Sequence, residues 1–132
     1  MSVTAEAVDK MSQEYTRAWC SGDGSQVASF YTEDGGIIIN EGDPCYGREA
    51  MTAMAQGFFD AFPDLVLTRD AIRSSGTHAV FMWTLEGTNT GPGGTGNKVV
   101  VSGWEYWKLT NDCQVQHSLG HFDAEDYERQ LA

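Results

Sequence analysis

Near the start of the chain, Val8, Met11, Tyr15, Ala18 and Trp19 recur at helical spacing, and Gly22 and Gly24 follow them. This predicts an amphipathic helix stopped by glycines, its aromatic stripe turned inward. Ser25 to Tyr31 offers Val27, Phe30 and Tyr31 as the apolar side of a second, short helix, ahead of a turn signal at Glu33-Asp34-Gly35. The β-branched run Ile37-Ile38-Ile39 reads as a strand and Glu41-Gly42-Asp43-Pro44 as a loop. Met51, Met54, Phe58 and Phe62 then mark one face of a third helix, which Pro63 ends.

Beyond Asp64 the helical period gives way to four β-rich segments, Leu65 to Ile72, His78 to Gly87, Lys98 to Leu109 and Cys113 to Asp123. The glycine-rich stretch Thr88 to Asn97 suits a long hairpin connection. A phosphate cradle would need a helix start or a Lys-Ser/Thr pair after the glycines, whereas Lys98 leads into a strand. Helices first and a twisted antiparallel sheet afterwards predict one α+β domain over residues 1–132, with helices covering a concave sheet face.

Composition supports a packed core, since 41% of the residues are hydrophobic and aromatics are spread along the chain. Eight basic residues against 19 acidic ones give a net charge of −11, which disfavours nucleic acid and anionic membrane surfaces as partners. Cys20, Cys45 and Cys113 have no CxxC pairing and read as free thiols. Met1 to Lys10 carries Glu6 and Asp9 and lacks the basic and apolar stretches of a signal peptide, so a cytoplasmic location is expected.

Candidate chemistry gathers on the last strand. Alternation places Val115, His117, Leu119, His121 and Asp123 on one face, and this face is expected to look inward unless a bulge breaks the parity. Two imidazoles and a carboxylate there form either a hydrogen-bonded polar cluster or a site. In a site, desolvation would push Asp123 toward the neutral acid and the histidines toward neutral imidazole, making them proton donors and acceptors. No metal is expected, because along a strand His117 and His121 stand roughly 13 Å apart at ~3.3 Å per residue. Tyr15, Trp19, Phe58, Phe62, Trp83 and Trp104 line a hydrophobic cavity or fill the core. Asn40 either orients a ligand oxygen or makes an Asx turn.

The order of these elements resembles the SnoaL-like branch of the NTF2-like superfamily. The resemblance rests on Tyr46-Gly47-Arg48-Glu49-Ala50 after the first strand, on Phe58-Phe59-Asp60-Ala61-Phe62-Pro63-Asp64-Leu65, and on Gly87-Thr88-Asn89-Thr90-Gly91, with Asp123 and Gln130-Leu131 in the tail. It implies a cone-shaped α+β barrel, with N-terminal helices packed on a curved, mainly antiparallel sheet around a ligand cavity, often as a homodimer. Some members of that family are polyketide cyclases in which a carboxylate on the last strand is the acid/base for an aldol closure, and Asp123 occupies the matching position. Cyclase-type sites also use a histidine on the preceding strand, but none lies from Ala79 through Gln116, so His117 or His121 would substitute. Asn40 stands roughly where ketosteroid isomerases keep a proton-shuttling Asp, and an amide cannot act as that base.

Three functions are expected to compete. The first is a cofactor-independent acid/base enzyme for a small apolar carbonyl compound, with Asp123 moving the proton and Asn40 or Tyr15 stabilising an enolate. The second is a non-catalytic protein that binds a small hydrophobic molecule. The third is an interaction module whose outer sheet face, with Trp104, Tyr106 and Phe122, forms a dimer or hetero-complex.

Overall fold

The computed structural model describes residues 3–132; the first two positions of the Met1 to Lys10 stretch lie outside the described residues. Helix α1 spans Ala5–Ala18 and is capped by Thr4, whose hydroxyl accepts the Ala7 N–H at 3.0 Å, with Glu6 in its first turn and Arg17 in its last. Its buried face is Val8, Met11, Ser12, Tyr15 and Ala18. Helix α2 is the short segment Gly24–Ala28. A Cβ on Gly24 would lie 2.4 Å from the Thr52 carbonyl oxygen, so this glycine lets α2 pack closely on helix α3, Arg48–Ala61. The helical stripe of α3 divides in two: Met51, Ala55 and Phe59 enter the core, while Met54 and Phe58 are half-buried.

The strands are β1 (Tyr31–Ile39), the two-residue β2 (Cys45–Tyr46), β3 (Val66–Ser75), β4 (His78–Thr88), β5 (Lys98–Leu109) and β6 (Val115–Phe122). They form one curved, unclosed sheet in the order β2-β1-β6-β5-β4-β3, antiparallel except where β1 runs parallel to β6. The Glu33-Asp34-Gly35 turn signal falls inside β1 instead of closing α2. Glu33 and Asp34 are exposed there while Gly35 is buried, and pairing jumps from Tyr31 opposite Val115 to Gly36 opposite His117. The glycine-rich connection is organised by Asn89, whose Oδ1 accepts the Thr95 N–H at 2.9 Å and whose backbone N–H reaches Asn97 O at 2.9 Å.

Helix α4, Ala124–Leu131, follows the sheet directly, an element the hydrophobic pattern did not predict because none of its residues is buried. Half-buried Tyr127 and Leu131 pack against the core, and polar contacts add to their hold. The Gln130 amide pairs with both the N–H (2.7 Å) and the C=O (2.9 Å) of Val100, and Asn97 Nδ2 donates to Leu131 O at 3.1 Å. Gln130 thus completes the hydrogen bonding of β5 where β6 no longer runs beside it. Among the described residues, no helix is long and apolar enough to cross a membrane.

Candidate active site

The parity of β6 is broken at Gln116. Lys108 pairs with His117 and Leu109 with Val115, so two residues of β6 face one step of β5. Val115 still points into the core, but past the bulge the inward positions are Ser118, Gly120 and Phe122. His117, Leu119 and His121, expected inside, stand on the outer face. His117 stacks on Tyr46 with ring centroids 5.7 Å apart and hydrogen-bonds its hydroxyl through Nδ1. His121 stacks on Trp104 at 5.6 Å. Asp123 is exposed and caps α4, its Oδ1 accepting the Asp126 N–H at 3.1 Å. Among the described residues, no group of three or more His, Cys, Asp or Glu side chains is placed to hold a metal ion.

The charged group inside is Glu105. On β5 the inward positions are Val99, Val101, Gly103, Glu105, Trp107 and Leu109, and Glu105 is only 6% exposed. Oε1 accepts from Trp107 Nε1 (2.9 Å), Ser118 Oγ (2.9 Å), Tyr31 Oη (3.1 Å) and Tyr15 Oη (3.2 Å). Oε2 accepts only from Tyr15 Oη, at 3.1 Å. The two phenol oxygens lie 3.0 Å apart. No ion pair among the described residues reaches Glu105. Burial in apolar surroundings raises its pKa above the ordinary glutamate value, against the lowering effect of its hydrogen bonds from Trp107, Ser118, Tyr31 and Tyr15. Burial, and then the charge of Glu105, holds Tyr15 and Tyr31 well above the usual phenol range, so both remain protonated donors at neutral pH.

Glu105 sits at the wall of an apolar cavity of about 60 Å³ between the helices and the inner sheet face. Its lining includes buried Trp19, Ile37, Leu67, Leu85 and Val101 and half-buried Ile39, Met54, Phe58, Phe122 and Tyr127. Trp83 also lines it, and its indole fits because position 103 is glycine: a Cβ there would lie 2.5 Å from the ring. Two residues of this wall carry a buried nitrogen without a hydrogen-bond partner among the described residues, Trp19 Nε1 and Trp83 Nε1. Trp19 lies beside the Tyr15 hydroxyl without reaching hydrogen-bonding geometry.

Of the residues expected to meet a ligand, Trp19, Phe58 and Trp83 line this cavity. Tyr15 is fully buried behind it and acts on Glu105. Phe62 is fully buried and packs on Tyr127, with ring centroids 6.3 Å apart. Trp104 is 40% exposed on the opposite face. Phe122, expected with Trp104 on the outer face, belongs to the cavity instead, and His121 touches its edge. Asn40 takes a left-handed backbone conformation, φ 51°, and its Oδ1 accepts the Phe122 N–H at 2.9 Å, so the amide anchors a cavity-lining residue. Glu105 itself is legible by the same alternation that was applied to β6, as the one charged residue on an otherwise apolar strand face.

A sequence profile of the SnoaL-like domain matches residues 12–117. No curated protein matches the sequence. Among solved structures, the chain is similar to a candidate polyketide cyclase from Xanthomonas campestris pv. campestris (TM-score 0.81, 20% identity, 95% of this chain and 96% of that one). It is similar to a hypothetical protein of ketosteroid isomerase-like fold from Catenulispora acidiphila (TM-score 0.81, 12% identity, 92% of each chain). A third similar structure is the epoxide hydrolase/cyclase-like enzyme SalBIII, of pyran ring formation in the polyether salinomycin (TM-score 0.80, 17% identity, 92% of this chain and 94% of that one). At these identities the likeness is one of fold.

Proposed function

Starting from a chain that belongs to the SnoaL-like domain family, we propose that it is an acid/base enzyme acting on a small, apolar carbonyl compound, with Glu105 as the group that moves the proton. One observation carries this reading: a carboxyl without a cationic partner, buried at the wall of an apolar cavity and held by four donors. Lone-pair accounting selects the reacting atom. Oε1 is saturated, whereas Oε2 accepts one hydroxyl and keeps acceptor capacity for a ligand.

In the step proposed, a C–H bond next to the carbonyl breaks, the proton passes to Oε2, and the electron pair moves onto the carbonyl oxygen as an enolate. The protonated Glu105 then returns the proton to carbon or oxygen, so the enzyme is unchanged overall. A raised pKa makes the ionised carboxyl a stronger base than a surface glutamate. The hydroxyls of Tyr15, Tyr31 and Ser118 and the Trp107 N–H fix its orientation, so little rearrangement accompanies the transfer. An engineered cavity of roughly 150 Å³ is what holds benzene. The cavity of about 60 Å³ therefore takes a ring only when its half-buried lining, Met54, Phe58 and Tyr127, moves apart.

The test is isotope exchange. With 2-tetralone in D₂O, the wild type is expected to accelerate loss of the proton beside the carbonyl, and Glu105→Gln to lower that acceleration by about 10²-fold or more. Equal exchange by wild type and Glu105→Gln sinks the assignment. The saturation of Oε1 favours a second reading, in which Glu105 is a structural hub and the cavity binds a hydrophobic ligand without turnover. Binding of the ketone without accelerated exchange is the result that reading expects.

Self-association of the outer sheet face is also proposed. Met82, Trp104 and His121 form one cross-strand row, and Val80, Tyr106 and Leu119 the next. Met82, Trp104 and Leu119 are 44%, 40% and 38% exposed, an apolar patch suited to a second copy of the chain. Light scattering that gives the mass of one chain would count against it.

A further inference from the structure

We infer that the indole N–H groups of Trp19 and Trp83 are recognition donors for a neutral ligand carrying two acceptor oxygens, an inference that rests on the reading of this cavity as the ligand site. Both nitrogens are buried, and neither has a hydrogen-bond partner among the described residues, although Trp19 lies beside the Tyr15 hydroxyl. Leaving a buried donor unpaired costs free energy, and native proteins tolerate few such groups. Here both belong to residues that line the same cavity, whose lining is otherwise almost wholly apolar. By contrast, the other two indoles have clear placements: Trp107 donates to Glu105, and Trp104 stands on the outer face.

The two donors come from different walls. Trp19 closes the C-terminal end of α1 and packs edge-on against Phe58, ring centroids 6.0 Å apart, on the helical side. Trp83 belongs to β4 and packs against Phe122, 6.3 Å away, on the sheet side. One oxygen meets the first, and a second oxygen the other. Charge narrows the ligand further. No Lys or Arg lines the cavity, and Glu105 is in its wall, so an anion would be desolvated beside a carboxylate with no cation to compensate. A cation would satisfy Glu105 and leave both indole donors unpaired. A neutral compound with a flat apolar body and two carbonyl or ether oxygens suits both indole donors and places no second charge beside Glu105.

The experiment uses the four indole N–H resonances of the ¹⁵N-labelled full chain, with Trp19→Phe and Trp83→Phe to assign two of them. The probes are 1,4-diacetylbenzene, 1,4-diethylbenzene of the same shape without oxygens, and N,N-dimethylbenzylamine as the cation. The diketone is expected to move the Trp19 and Trp83 indole protons downfield and leave those of Trp104 and Trp107 in place. It should bind more tightly than either other probe, and Trp83→Phe should weaken the diketone by about 2- to 10-fold more than it weakens the hydrocarbon. If Trp19→Phe does not fold, the wild-type affinities and Trp83→Phe decide the matter. Equal affinity for diketone and hydrocarbon, tighter binding of the amine, no binding of any probe, or binding that leaves both indole protons unmoved would each overturn the inference. Failure here is separable from failure of the proton-transfer reading, which is scored on isotope exchange by Glu105→Gln.

Discussion

The two faces of one sheet handle polar groups in opposite ways. On the inner face a single carboxyl, Glu105, is taken out of water and given four donors. On the outer face all three histidines lie at or near the surface, each against an aromatic ring: His78 on Tyr106, His117 on Tyr46 and His121 on Trp104. One extra residue, Gln116, separates the two arrangements, because the bulge sends His117 and His121 outward and Ser118 inward to Glu105. Burial makes the difference chemical. A group that must satisfy itself inside has a shifted proton affinity and a fixed geometry, whereas one at the surface keeps water as an alternative partner.

The largest expected effect comes from removing the inner carboxyl outright. Glu105→Ala leaves the Trp107 N–H and three hydroxyls facing one another without an acceptor, and should cost about 3–5 kcal/mol of stability, read by urea denaturation. A loss below about 1 kcal/mol would show that the hub is dispensable.

Next comes a pH effect with a definite sign. Because the native carboxyl holds its proton more tightly than the unfolded chain does, stability is expected to fall as pH rises from the usual glutamate range through the raised native value, then to level off. Glu105→Gln should flatten that slope. Denaturation midpoints at a series of pH values check it, and a wild-type slope of opposite sign or an unchanged slope in the variant would break the contrast between the faces.

Changes on the outer face should be smaller. Leu119→Asp is expected to shift stability by no more than about 0.5 kcal/mol while abolishing self-association in light scattering. Smallest of all is Asp123→Asn, since Asn caps a helix about as well as Asp. Isotope exchange and melting temperature should both stay near wild type, and a large loss of exchange would return the chemistry to the end of β6.

Helices α1 and α3 and the long strands were legible because their apolar residues repeat over many positions, so a local irregularity does not hide the period. The bulges in β1 and β6 were not, since each is a local change in pairing that only the neighbouring strand reveals. At Glu33-Asp34-Gly35 the turn chemistry is real, yet tertiary pairing carries the strand past it. Helix α4 was hidden from hydrophobic patterning, although Asp123, Glu125 and Asp126 at its start and Arg129 near its end are ordinary helix signals. The site was half legible. Trp19, Phe58 and Trp83 are legible from their aromatic character, while Trp104 and Tyr106 mask Glu105 in a strand rich in large rings.

One proton, that of Glu105, carries the chemistry proposed for the inner face. A carbon-13 NMR titration of the glutamate carboxyls, with Glu105→Gln identifying the signal, measures directly where Glu105 gives it up. Its titration is expected above the ordinary glutamate value, and displaced again when a ketone occupies the cavity. A Glu105 signal that titrates at the ordinary glutamate value, and ignores the ketone, would contradict a raised proton affinity at the inner face.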